Sequence, residues 1–190
     1  MSGQCSERSW ALISGLLELV ADKRDPYSLS DDITTDGVHF NHRGYEMIGK
    51  HLADHLRPTV AKGGTVLLFG DSITAGYPYF EPVLAPGQGD PTHSFGHWLE
   101  TLLGVKVVNR GISGDTTEGM LQRFREETVS GDTAIFQGGG NDVIEYMFAS
   151  AGPLIVEHIL GNFEGMGREA MRRGLRPVFL PLLPFDPCWG

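Results

Sequence analysis

The chain has 190 residues, 41% hydrophobic and 21% charged, with a net charge of −9 and a pI near 5.1. That composition suits one domain over residues 1–190, and no basic run or stripe of the kind that binds nucleic acid is present. No apolar stretch approaches bilayer length and no basic-then-apolar leader opens the sequence, so the expectation is a cytoplasmic protein without a membrane span, an exported origin being left open.

In chain order, residues 6–22 set Trp10, Ile13, Leu16, Leu17 and Val20 on a helical stripe. A helix is expected there, with a strand over 16–20 as the alternative. Residues 22–35 are polar, contain Asp25-Pro26 and read as loop. The segment from Asp36 to Tyr45 then opens a helix carrying Tyr45, Ile48, Leu52 and Leu56, which ends at Pro58. After the short hinge Lys62-Gly63-Gly64, residues 65–69 form an apolar run of the kind buried on both faces of a parallel sheet. Residues 77–92 are irregular and rich in proline and aromatics. A helix over 95–103 stops at Gly104, and a strand follows over 105–108. A helix over 117–124, a strand over 133–136, a helix over about 153–173 interrupted by glycines, and a strand over 177–183 complete the pattern. Strands alternating with helices predict a three-layer α/β/α sandwich with a mostly parallel sheet of about five strands. Cys5 and Cys188 read as free thiols, bonded only if the chain ends meet.

Three strands end in polar, glycine-rich corners: Gly70-Asp71-Ser72, Gly111 to Asp115, and Gly138 to Asp142. A parallel sheet brings its carboxyl ends to one edge, where ligands gather. Ser72 is the candidate nucleophile, against the plainer reading of a helix cap. Such a serine needs a base, a group to orient the base, and donors for an oxyanion. Asp36 and His39 are spaced so that one turn could present both. The N–H groups of Ser72 and Gly114 and the amide of Asn141 are the candidate oxyanion donors. Alone, Asn141 would read as an Asx-type cap. His51 and His55 share a helical spacing that can bind metal, but no third ligand accompanies them, so a solvated helix face is expected. The 70–76 stretch lacks the lysine of a phosphate loop.

Together these stretches resemble the sequence blocks of the SGNH hydrolases, also called GDSL-type esterases and lipases. Gly70-Asp71-Ser72-Ile73 is similar to the nucleophile block and Asn109 to Thr117, with Gly114, to the glycine block. Gly139-Gly140-Asn141-Asp142 is similar to the asparagine block, and Asp36-Gly37-Val38-His39, extended by Asn41 and Gly44, to the Asp-x-x-His block. The resemblance implies a flavodoxin-like fold and a serine esterase of short-chain or acetyl esters, with Ser72, His39 and Asp36 as triad and Ser72, Gly114 and Asn141 as oxyanion hole. It implies no cofactor and no metal, and a small-molecule ester as partner. A thioesterase or carbohydrate deacetylase with the same site, or a sugar- or lipid-binding module without turnover, are the alternatives.

The order of the blocks departs from the family, in which the serine block comes first and the Asp-x-x-His block last. Circular permutation is the expected explanation. The helix after His39 would carry the chain roughly 20 Å, at about 1.5 Å per residue, back to the edge where the 65–69 strand begins. Both chain ends would then lie on the active-site side, with Cys5 near Cys188. Phe40 stands where the family often has proline, and no strand leading into Asp36 is evident. Residues 77–92 and 144–154 are expected to shape the substrate pocket.

Overall fold

The computed structural model describes residues 10–149 and 152–184. Five parallel strands form one sheet: β1 (Ala11–Leu12), β2 (Thr65–Gly70), β3 (Lys106–Gly111), β4 (Thr133–Gln137) and β5 (Arg176–Phe179), in the order β1-β5-β4-β2-β3. The central strands β2 and β4 are almost wholly buried, as a strand covered on both faces must be. The side-chain alternation of β2 sorts the core into two layers. Val66 and Leu68 pack with Leu52 and Leu56 of α2 (His42–Leu56) and Leu99 of α4 (Phe95–Leu103), below α1 (Leu16–Val20). Leu67 and Phe69 pack with Met120 and Phe124 of α5 (Thr117–Glu126) and Met166 and Ala170 of α7 (Gly152–Arg172). The short α3 (Ser72–Ala75) leaves the end of β2, and α6 (Gly140–Ala149) leaves the corner after β4.

Register explains why the three glycine-rich corners meet. Gly70, the last residue of β2, lies opposite Gly111 of β3 on one side and Gln137 of β4 on the other. All three strands therefore stop at one level. Side chains are excluded at these ends: a Cβ on Gly70 would sit 2.0 Å from Thr74 Oγ1 and 2.5 Å from the Gln137 carbonyl, and one on Gly111 would sit 2.1 Å from the Ala75 nitrogen.

Several expectations are corrected. The helix expected over 6–22 is a two-residue strand, β1, followed by the five-residue α1. Gly15 separates them with φ +76°, a left-handed turn no continuous helix contains. β1 pairs with β5 through Ala11 and Val178, so the chain does supply a fifth strand before Asp36. The expectation that both chain ends lie on the active-site side concerns residues 1–9 and 185–190, which lie outside the described residues. Cys5 and Cys188 lie outside the described residues. β3 extends to Gly111, beyond the expected 105–108, and β5 ends at Phe179 rather than 183. The helix α6 was not expected. α7 runs unbroken through its glycines, and Gly167 is required where the Trp10 ring would stand 2.8 Å from an added Cβ.

Candidate active site

Asp36 and His39 sit on a tight turn built by the aspartate itself. Asp36 Oδ1 accepts from the N–H groups of Val38 (3.0 Å) and His39 (2.7 Å), and Gly37 between them has φ +82°. The Thr34 hydroxyl donates to the His39 carbonyl at 2.8 Å, closing the loop on the other side. Two residues on, Asn41 caps α2 by accepting from Gly44 N–H at 3.1 Å. Phe40, in the place of a proline, is fully buried and packs edge-on against Tyr45. The turn is thereby pinned to the helix that follows it.

That turn leaves Asp36 Oδ2 2.7 Å from His39 Nδ1, while His39 Nε2 lies 3.1 Å from Ser72 Oγ. Burial pushes the Asp36 carboxyl up, but hydrogen bonds from the His39 ring, the His39 N–H and the Val38 N–H outweigh it and hold it below the usual carboxylate range. An ionised carboxylate only accepts, so the neutral imidazole carries its hydrogen on Nδ1 and offers Nε2 as acceptor to the Ser72 hydroxyl. The Tyr77 ring packs on His39 with centroids 4.6 Å apart, and the Tyr45 hydroxyl holds the Tyr77 carbonyl at 2.6 Å.

Ser72 opens α3, and Asp71 caps it by accepting from Ile73 N–H at 2.9 Å. Burial raises the Asp71 carboxyl to about 7, against the opposing hydrogen bonds from Ile73 N–H and Gln137. Gln137 at the end of β4 donates to Asp71 Oδ2 at 3.4 Å and accepts from Thr74 Oγ1 at 2.8 Å. Asn109 of β3 donates to the Thr74 and Ala75 carbonyls at 2.8 and 3.1 Å. The nucleophile corner is thus tied to both neighbouring strands.

Gly114 has φ +80°, with open space where a side chain would stand. Asn141 Nδ2 donates to the Asp115 carbonyl at 2.9 Å, joining the asparagine and glycine corners. An amide nitrogen has two hydrogens, so one remains for a ligand. Asp142 is buried and accepts from the N–H and hydroxyl of Thr117, anchoring the start of α5. Asp115 pairs with Arg123; burial nevertheless keeps its carboxyl above its ordinary value. The Ser113 hydroxyl donates to Glu81, whose second carboxyl oxygen is buried without a partner among the described residues.

Asp36, His39, Ser72, Gly114 and Asn141 all line one open cleft of about 390 Å³. The structure brings together every residue singled out as a catalytic or oxyanion candidate. Of the two segments expected to shape the pocket, Tyr77 and Ile144 line the cleft. Val38, Gln137 and Leu182 to Pro184 also line it and were missed. Only Gln137 carried a signal, a polar residue ending an apolar strand. His51 and His55 are occupied otherwise: His51 Nε2 meets the Ser14 carbonyl at 2.8 Å and His55 Nδ1 the His51 carbonyl at 2.9 Å. Among the described residues, no helix is long and apolar enough to cross a membrane.

Residues 68–190 match the model of the GDSL-like Lipase/Acylhydrolase family, and the chain belongs to that family. The match begins four residues before Ser72 and leaves Asp36 and His39 outside it. One solved structure shares the fold, and two others are similar at lower TM-scores. A G-D-S-L family protein from Desulfitobacterium hafniense is 24% identical with a TM-score of 0.53, over 66% of this chain and 63% of that one. The SGNH-hydrolase family esterase AlinE4 is 28% identical with a TM-score of 0.45, over 64% and 60%. A catalytic mutant of the acetylxylan esterase Axe2 from Geobacillus stearothermophilus is 22% identical with a TM-score of 0.47, also over 64% and 60%. The chain thus spans less than two thirds of the length of these structures. No curated protein matches it.

Proposed function

We propose that the protein hydrolyses small carboxylic esters with Ser72 as nucleophile. The observation that carries this reading is the unbroken chain from Asp36 through His39 to Ser72, at 2.7 and 3.1 Å. Ser72 Oγ attacks the ester carbonyl carbon and its proton passes to His39 Nε2. The carbonyl oxygen becomes an oxyanion within reach of the Ser72 and Gly114 N–H groups and the free Asn141 hydrogen. The carbon–oxygen bond to the alcohol then breaks, and His39 returns the proton to the departing oxygen. Water repeats the sequence on the acyl-enzyme, giving up its proton to His39, and releases the acid and free Ser72. Asp36 holds the imidazole tautomer and the charge that forms on it. Val38, Ile144 and Leu183 give the cleft apolar walls for the acyl group, and a short acyl group such as acetyl is the one proposed.

A panel of p-nitrophenyl esters of rising chain length tests this. Turnover of the acetyl ester is expected, falling with chain length and abolished in Ser72→Ala. Undiminished turnover in Ser72→Ala would overturn the assignment. A thioester or an acetylated sugar turned over faster than any simple ester would redirect the substrate and keep the site.

A further inference from the structure

Glu81 makes a contact that none of the catalytic steps above uses. Its carboxylate accepts from the Ser113 hydroxyl, 32 residues further along the chain. Its second oxygen, Oε2, is buried without a partner among the described residues. Burying a carboxylate oxygen unmatched is costly, so such a group calls for an explanation beyond packing. Ser113 lines the catalytic cleft and immediately precedes Gly114.

The turn between β3 and α5 is anchored at both ends. Ile112 N–H donates to the Gly70 carbonyl at 3.0 Å and Asp115 N–H to the Ile112 carbonyl at 3.1 Å, while the Asp115 carbonyl accepts from Asn141 at 2.9 Å. The tip is anchored differently. Among the described residues, Ser113 and Gly114 form no backbone–backbone hydrogen bond, and nothing lies within 4 Å of the place a Gly114 Cβ would take. Gly114 has φ +80°, a region that glycine enters, and leaves, without penalty. Its N–H belongs to the planar peptide that joins it to Ser113, so the direction of that N–H follows from how Ser113 is held. Among the described residues, the bond to Glu81 is the only hydrogen bond Ser113 makes.

Glu81 is held firmly enough to serve as that tie. The N–H of Phe80 before it donates to the Gly76 carbonyl at 3.1 Å, and Phe80 bridges to Gly89. The Glu81 carbonyl accepts from Ala85 N–H at 2.9 Å. This loop leaves α3 directly after the nucleophile, and its first residues reach both the base and the glycine turn: the Tyr77 ring packs on His39, and Glu81 holds Ser113. A carboxylate offers only lone pairs, so it fixes the Ser113 hydroxyl as donor and with it the side-chain direction.

We propose that Glu81 is a positioning residue for ester hydrolysis, aiming the Gly114 N–H at the oxyanion through the Ser113 hydroxyl. Donors stabilise an oxyanion best when they are already aimed before charge develops, and a glycine tip without such a tie would have to be ordered at each turnover. The role rests on the esterase reading and extends it to a residue outside the triad and the oxyanion donors.

Steady-state kinetics on p-nitrophenyl acetate decide. Glu81→Ala should lower kcat at least about tenfold with KM nearly unchanged, short of the roughly 10²–10³-fold that losing a donor outright costs. Glu81→Gln keeps an oxygen for Ser113 and should recover most of that loss. Ser113→Ala should match Glu81→Ala, and the double variant should be no slower than the slower single by more than about threefold, because the pair acts as a unit. If Glu81→Ala does not fold, Ser113→Ala takes its place, with the same loss in kcat expected. A smaller loss, a change confined to KM, or losses that multiply in the double variant would overturn the proposal and leave the esterase reading standing. So would Glu81→Gln no faster than Glu81→Ala. A wild type that turns over no ester and is not labelled at Ser72 by a fluorophosphonate would overturn the esterase reading, and this role with it.

Discussion

Asp71 and Asp36 lie close to one nucleophile and are driven in opposite directions. Asp36 is held below its ordinary range, so its stabilising share is complete above the unfolded carboxylate pKa and is lost only as pH falls through the lower folded value. Asp71 is fully buried and raised from 3.8 to about 7, so the native state holds a proton that the unfolded chain releases. Stability attributable to Asp71 therefore falls as pH rises from about 4 to about 7 and is level above, a loss on the order of a few kcal/mol. Asp71→Asn keeps an oxygen for the Ile73 cap and removes the charge. It should raise Tm above that of the wild type at pH 8, with the advantage gone at pH 4; an unchanged slope in Tm against pH would contradict this. Asp36→Asn supplies the wrong tautomer to His39, and kcat should drop on the order of 10³–10⁴-fold with the fold retained. A loss below tenfold would remove Asp36 from the mechanism. Both aspartates stood in legible motifs. Gln137, which joins Asp71 to Thr74, was not picked out: it carried the signal of a polar residue ending an apolar strand, but its partners show only in the structure.

At the level of elements, the strands carried their own signal where both faces are buried. β2 and β4 are continuous apolar runs, and both fall within a residue of expectation. The edge strand β1 was not legible. Its two residues lie between Trp10 and Ile13, which share a helical stripe with Leu16 and Val20, and only the left-handed Gly15 and the pairing with Val178 reveal the strand. α6 was hidden because its sequence starts inside a glycine-rich corner. The glycines of these corners serve close packing more than flexibility. Gly70 does not need a left-handed backbone; it is confined by Thr74 and the Gln137 carbonyl. Gly70→Ala should therefore cost roughly 1–3 kcal/mol or more, since one of its neighbours is backbone and cannot turn away. A denaturant midpoint unchanged from wild type would show that α3 can shift without loss.

Over the whole molecule, the sheet places β1 at the edge beside β5, although β1 is first in the chain and β5 last. The family match starts at residue 68 and runs to residue 190, while the turn bearing Asp36 and His39 precedes it. We infer that the block order is a circular permutation, which leaves the site geometry intact because such a site depends on where side chains meet rather than on their sequence order. α2 makes this workable: its 15 residues span roughly 22 Å at about 1.5 Å each. That returns the chain from the cleft to the start of β2, through the turn where Gly63 N–H meets the Gly104 carbonyl. The convergence of the corners was legible because parallel strands share an edge; the place of β1 beside β5 was not, because a two-residue strand carries too little pattern to show it. The central claim is that His39, encoded before Ser72, activates it. Intact-mass spectrometry after incubation with a fluorophosphonate tests it most directly. The account predicts a single adduct, mapped by peptide analysis to Ser72 and reduced at least a hundredfold in rate by His39→Ala; equal labelling in His39→Ala, or an adduct on any other residue, would contradict it.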